Sequence, residues 1–157
     1  MKKIAIFADI QNIFYTTREA FGKPFNYRAF YESKKQQGII VKALAYAIDR
    51  GDTQQQKFQT ALRHIGFDVK LKPYIQRKDG SAKGDWDVGI TIDMMEIAPN
   101  VNHIILLSGD GDFDLLLQKV REKYNITTEV VSVEALTANS LIQSTDIYTP
   151  ILPKQLL

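Results

Sequence analysis

Apolar positions along this chain alternate between two rhythms. Apolar runs of strand length fall at Ile4 to Ala8 and His103 to Leu107, and a strand-like stretch interrupted by Lys42 at Ile39 to Ile48. Between them apolar residues recur at helical spacing, as in Phe58, Leu62 and Ile65, and again in Phe113, Leu116, Leu117 and Val120. The first rhythm suits strands buried on both faces, the second suits helices packed over them.

Taken in order, the pattern predicts a central strand over 4–8, then a helix capped by Asn12 and running through Tyr15 and Arg18 to about Gly22. Asn26 caps a second helix anchored by Phe30 and Tyr31. Gly38 precedes the strand over 39–48, and Thr53 caps a third helix that Gly66 ends. Phe67 to Lys72 alternates apolar and charged residues, as a half-exposed strand near a sheet edge does. Residues 73–84 break the pattern and read as a loop. Asp85 then caps a helix with Val88, Ile92 and Met95 on one face, closed by Pro99. A strand over 127–133 and a short helix over 138–143 follow. The tail from Ile147 to Leu152 contains Pro150, which suits an edge strand or an extended arm.

Strands alternating with helices require crossover connections. The expected class is therefore α/β, with a mainly parallel sheet of five to six strands and helices on both faces, in one domain over residues 1–157. The order of the strands is not written in the pattern.

Composition narrows the function more than the fold. A net charge of +2 means that any nucleic-acid binding must come from a local patch. The absence of cysteine removes disulfides, zinc-thiolate sites and thiol nucleophiles, and it fits a reducing compartment. Asp9 and Gln11 interrupt the first apolar run too early for a signal peptide, and no run approaches the roughly 20 apolar residues of a membrane span. The expected location is cytoplasmic, with no membrane contact.

The polar residues worth chemical attention are acidic. Asp9 ends the first strand, Asp85 and Asp87 open the helix after the loop, and Asp110, Asp112 and Asp114 follow the strand over 103–107. In an open α/β sheet, ligands bind at the carboxyl ends of the strands, where these turns fall. Carboxylates gathered there repel each other and raise each other's pKa unless a cation neutralises them. Hard oxygen ligands suit Mg²⁺ or Mn²⁺, and such a metal supports phosphodiester hydrolysis. Each acid also has a plainer role open to it: Asp85 and Asp114 as helix caps, Asp9 as the start of an Asx-type turn with Gln11 and Asn12. The Ser-Gly-Asp-Gly-Asp segment at 108–112 is harder to assign to capping, because two glycines set backbone beside two acids.

Spacing excludes three other readings of that segment. An EF-hand loop counted from Asp110 would need Gly and Glu where Leu115 and Arg121 stand. A phosphate-cradling loop would end in Gly-Lys-Ser/Thr, which is absent. The box also resembles the metal motif of haloacid dehalogenase-type phosphatases, but their nucleophilic D-x-D is missing, since Ile10 and Gln11 follow Asp9.

Three blocks together resemble the NYN domain family, the LabA-like branch of the PIN-like nuclease superfamily. They are Asp9-Ile-Gln-Asn12 after the opening strand, Lys83-Gly-Asp-Trp-Asp87-Val88 leading into a helix with Asp93, and Ser108-Gly-Asp110-Gly-Asp112-Phe113. Ser140-Leu141 and Asp146 resemble its closing segment. The resemblance implies a Rossmann-like, PIN-like three-layer α/β/α sandwich whose acidic pocket binds Mg²⁺ or Mn²⁺ and cleaves RNA. It places Asp9, Asp87, Asp110 and Asp112 on the metal and catalytic site, Asn12 as a catalytic polar partner, and Ser108 beside the third acid. One departure is Asn125-Ile126, where the family commonly has glycine; Asn tolerates the left-handed conformation. Asp93 lies six residues beyond Asp87, about 600° around a helix, so it points elsewhere and suits a supporting or packing role.

RNA would be held by the segment leading to Asp87, where Arg77, Lys78 and Lys83 accompany Tyr74, a stacking face. Lys70 and Lys72 flank it. The alternative for these lysines is to guard a sheet edge. Phe14 is read as core, Trp86 as either a core anchor or a site residue, and neither His64 nor His103 as a ligand. The rival to a ribonuclease is a non-catalytic regulatory module that binds RNA or a protein through the same pocket; a small-molecule phosphatase is weaker. The apolar tail residues Ile151, Leu152, Leu156 and Leu157 either pack on a second copy in a homodimer or close the chain's own core.

Overall fold

The structure is a computed structural model that describes residues 1–73 and 85–157, and the backbone alone at 75–76 and 82–83. The chain begins with β1 (Lys3–Asp9), α1 (Ile10–Phe21), α2 (Tyr27–Lys35), β2 (Ile39–Asp49), α3 (Thr53–Ile65) and β3 (Asp68–Pro73). Two short strands follow, β4 (Ile75–Gln76) and β5 (Ala82–Lys83), then α4 (Asp87–Ile97) and β6 (His103–Leu107). The remainder is α5 (Asp114–Tyr124), β7 (Thr127–Ser132), α6 (Asn139–Ser144) and β8 (Ile147–Pro150).

Six strands form one sheet in the order β3-β2-β1-β6-β7-β8, and every neighbouring pair is parallel. From β1 the chain builds outward through β2 to β3, then returns to the middle and builds the other way from β6. The reversal lies between β1 and β6. A doubly wound sheet opens a crevice at the carboxyl ends of the strands at such a point.

The apolar runs form central strands because both their faces are covered. In β1, Ile4, Ile6 and Ala8 join a core made with α1, α2 and α3, through Ile13, Phe30 and Leu62. The alternate residues Ala5 and Phe7 join a second core with α4 and α5, through Ile90, Met94 and Leu117. The edges read as expected: β3 is half exposed and β8 carries Pro150. Among the described residues, no helix is long and apolar enough to cross a membrane.

Several local expectations are corrected. Strand β1 runs straight into α1, so the cap position falls on Asp9 and Asn12 lies inside the first turn. Asp52, one residue ahead of Thr53, caps α3 by accepting from the Gln55 amide at 3.1 Å. On α4 the buried row is Ile90 and Met94, continued by Ala98 just beyond its end, while Val88 and Ile92 are exposed. Both rows are apolar, so periodicity could not choose between them. Within the span read as a loop, β4 and β5 pair antiparallel. Phe14 is 50% exposed, because Ile10, Ile13 and Thr17 occupy the core face of α1.

Other expectations hold. Asn26 caps α2 by accepting from the Ala29 amide at 3.0 Å. Asn125 adopts the left-handed conformation, φ 53°, at the end of α5. Of the apolar tail residues, Ile151 is buried and Leu156 bridges to Phe25, while Leu152 and Leu157 are exposed.

Candidate metal centre

The reversal between β1 and β6 brings Asp9 beside the turn after Leu107. Asn12, in the first turn of α1, accepts a hydrogen bond from the Gly109 amide at 2.9 Å. The Ser108 hydroxyl donates to Asp9 Oδ2 at 3.0 Å and accepts from the Asp110 amide at 3.2 Å. Ser108 is fully buried, so this hydroxyl is the polar link between two strand ends inside the sheet. Asp110 Oδ1 accepts from the Asp112 amide at 2.9 Å, which sets the turn into the short helix preceding α5.

Asp87 comes from the far side of the crevice, in the first turn of α4. That turn is held against β2 by Trp86, whose Nε1 donates to the Ala47 carbonyl at 2.9 Å and whose ring lies 5.3 Å from that of Tyr46. The Lys72 ammonium covers the same indole at 4.4 Å and donates to the Asp85 carbonyl at 3.0 Å. Gly89 leaves room for it: a Cβ there would stand 2.5 Å from Trp86 Cε3. Trp86 thus aims the acid at the head of α4.

The result is that carboxylate oxygens of Asp87, Asp110 and Asp112 all lie within 4.8 Å of one another. Asp9 is outside that group, its carboxylate being held toward Ser108. Burial raises the Asp87 pKa to about 7, with Asp110, Asp85, Asp9 and Asp112 adding their repulsion. Burial also raises Asp9, to about 6; the Ser108 hydroxyl and the Asn12 amide pull it down, while Asp110 and Asp85 push it up. None of the ion pairs formed among the described residues involves these acids. Three converging hard oxygen donors with unrelieved repulsion fit a divalent cation such as Mg²⁺ or Mn²⁺.

The other sequence candidates fall elsewhere. Asp93 accepts from the Tyr46 hydroxyl at 2.8 Å and from Lys70 at 2.6 Å, fastening α4 to β2 and β3. Lys70 and Lys72 are therefore both engaged within the fold. Asp85 accepts from the Asp87 amide at 3.2 Å, as a turn rather than as the helix cap. Tyr74, Arg77, Lys78 and the side chain of Lys83 lie outside the described residues.

The glycines of the Ser-Gly-Asp-Gly-Asp turn have a reason the sequence did not show. A Cβ on Gly109 would stand 2.9 Å from Thr137 Oγ1, and one on Gly111 2.8 Å from the Ala138 Cβ. The segment ahead of α6 lies directly on the turn, with the Ala138 amide donating to the Gly109 carbonyl at 3.2 Å. Asp146 lies away from this turn, pairing with Arg121 at 2.9 Å and accepting from the Thr128 amide near the start of β7.

Comparison with known proteins agrees with this architecture. The model of the NYN domain family matches residues 3–152. The low amplitude and bright protein LabA of Synechococcus elongatus is 30% identical over 154 residues, covering 93% of this chain and 82% of the relative. A crystal structure of a Vibrio parahaemolyticus protein of unknown function is 50% identical, with a TM-score of 0.94, covering 99% of this chain and 96% of that one.

Proposed function

The chain belongs to the NYN domain family, and from that premise we propose that it is a ribonuclease dependent on Mg²⁺ or Mn²⁺. The observation that carries this reading is the convergence of Asp87, Asp110 and Asp112 within 4.8 Å at the crevice between β1 and β6. A pure binding module gains nothing from three mutually repelling carboxylates, whereas a hydrolytic site uses them to hold a cation. The family's PIN-like nuclease character and the hard-donor set support the same chemistry.

In this reading Asp87, Asp110 and Asp112 hold the cation. When bound it acidifies a water and stabilises charge on a phosphoryl oxygen. Asp9, raised to about 6 and turned toward Ser108, accepts the proton of the attacking water. The water oxygen bonds to phosphorus, the bond from phosphorus to the ribose oxygen breaks, and that oxygen takes a proton from solvent water and leaves as an alcohol. Ser108 orients Asp9, and Asn12 fixes the turn that carries Asp110. Arg77, Lys78 and Lys83, ahead of α4 in the sequence, track the RNA backbone, and Tyr74 stacks on a base.

The test is incubation of single-stranded RNA with the protein and Mn²⁺, beside an EDTA control and Asp110→Asn. Cleavage that needs Mn²⁺ and disappears in Asp110→Asn supports the nuclease. Binding without cleavage in every arm favours the regulatory module. Cleavage that survives the substitution removes Asp110 from the chemistry.

A further inference from the structure

Beside the acidic crevice, on the α1–α3 side of the sheet, lies a second cleft of about 490 Å³, within the roughly 300–1,000 Å³ range of small-ligand pockets. Its walls come from α1, the end of β2, the first half of α3 and the segment before α2. It adjoins the acids directly, because Ile10 and Gln11 line it and immediately follow Asp9. Tyr27, on its wall, is near enough to Asp9 for that charge to add to the effect of burial in raising its hydroxyl pKa.

The lining differs from ordinary core in its polar groups. Gln59 is 5% exposed and lines the cleft. Gln55, one turn earlier on the same face, has its Oε1 shut away from solvent without a partner among the described residues. A buried amide oxygen nearly always finds a partner, so the unpartnered Gln55 Oε1 with Gln59 one turn on, beside aromatic rings, suits a flat ligand with hydrogen-bonding edges. Phe58 is 38% exposed, lies 5.8 Å from Tyr27 and lines the cleft. Arg18 and Arg50 line the same cleft, where cationic groups suit a phosphodiester chain.

We infer that this cleft receives a nucleobase of the RNA strand whose phosphate lies at the acidic crevice, and that Gln55 and Gln59 read the edge of that base. The inference rests on the ribonuclease reading and adds base preference to it. Aromatic stacking accepts any base, whereas amide hydrogen bonds to a base edge discriminate among them.

The experiment measures fluorescence anisotropy of labelled hexa-adenylate, hexa-cytidylate and hexa-uridylate with the whole protein in EDTA. Wild type, Gln59→Leu, Phe58→Ala and Asp110→Asn are compared, and melting with and without Mn²⁺ checks folding and the metal site. The wild type is expected to favour one homopolymer by about tenfold. Gln59→Leu loses that preference while retaining its Mn²⁺ melting shift; Phe58→Ala weakens all three; Asp110→Asn keeps the preference. Gln59→Leu has nearly the shape of the native residue, and Gln59→Glu, which keeps polarity but loses the amide donors, serves if it does not fold. Equal binding of the three by the wild type, or a preference surviving both substitutions at Gln59, overturns the inference alone. Mn²⁺-dependent cleavage in the same preparations shows that the ribonuclease reading stands, and absence of both binding and cleavage removes both.

Discussion

Asn12 and Gly109, 97 residues apart in sequence, are joined by a 2.9 Å hydrogen bond from the glycine amide to the asparagine side chain. This bond ties the first turn of α1 to the turn carrying Asp110, so the relative position of Asp9 and Asp110 depends on it. Asn12→Ala leaves the amide without its acceptor in a part-buried place, at a cost of roughly 1–2 kcal/mol. Melting should fall by a few degrees, and calorimetric titration should show weaker Mn²⁺ binding. Unchanged values in both would mean that Ser108 and the Ala138 amide hold the turn without Asn12.

The repulsion around Asp87 has a consequence for stability. With its pKa raised from 3.8 to about 7, the native state binds more protons at Asp87 than the unfolded chain does between those values. Stability therefore falls as pH rises through that window, and the cost is complete above it. Asp87→Asn removes the charge. Without metal it should melt above the wild type at pH 8 and no higher at pH 4, and Mn²⁺ should no longer raise its melting temperature.

Cation uptake is also coupled to protons. At pH 6, where Asp87 is mostly protonated and Asp9 about half so, binding Mn²⁺ should release protons. Titration in two buffers of different ionisation enthalpy should give different apparent heats at pH 6 and converge at pH 8. Identical heats at pH 6 would show that neither acid is protonated in the metal-free protein.

At the opposite end of the sheet a buried cluster tests the fold independently of function. Glu129 accepts from Lys34, His103 and Thr149, each at 2.9 Å. Burial alone would raise its pKa, but these hydrogen bonds and the Lys34 charge reverse that and hold it at about 2, against an ordinary 4.5. The stabilisation is present above 4.5 and is lost as pH falls toward 2, because the unfolded chain takes up the proton first. Glu129→Ala strands the buried Lys34 and should cost on the order of 3–5 kcal/mol, read by urea unfolding at pH 7. Glu129→Gln should flatten the loss of stability between pH 5 and 2.5.

Steric room in the acidic turn can be probed by Gly111→Ala, whose new methyl group would stand 2.8 Å from the Ala138 Cβ. Melting temperature and Mn²⁺ affinity should both fall, since relief of the clash moves the backbone between Asp110 and Asp112. An unaltered Mn²⁺ titration would show that the segment before α6 yields instead.

The amino-acid sequence by itself determined the α/β class, the buried strands at 4–8 and 103–107 and the acids at the strand ends, because periodicity and turn chemistry are local. A run such as Ile104 to Leu107 can be satisfied only with both faces covered, and a carboxylate following it falls at a sheet edge wherever the strand is placed. Tertiary structure alone decided what depends on two segments meeting. The sheet order set β1 beside β6 and so joined Asp9 to Ser108. The indole of Trp86, docked on the Ala47 carbonyl, brought Asp87 against Asp110 and Asp112. The choice of Ile90 and Met94 over Val88 and Ile92 was made by the same docking, since both rows of that helix are apolar and only contact with the sheet distinguishes them.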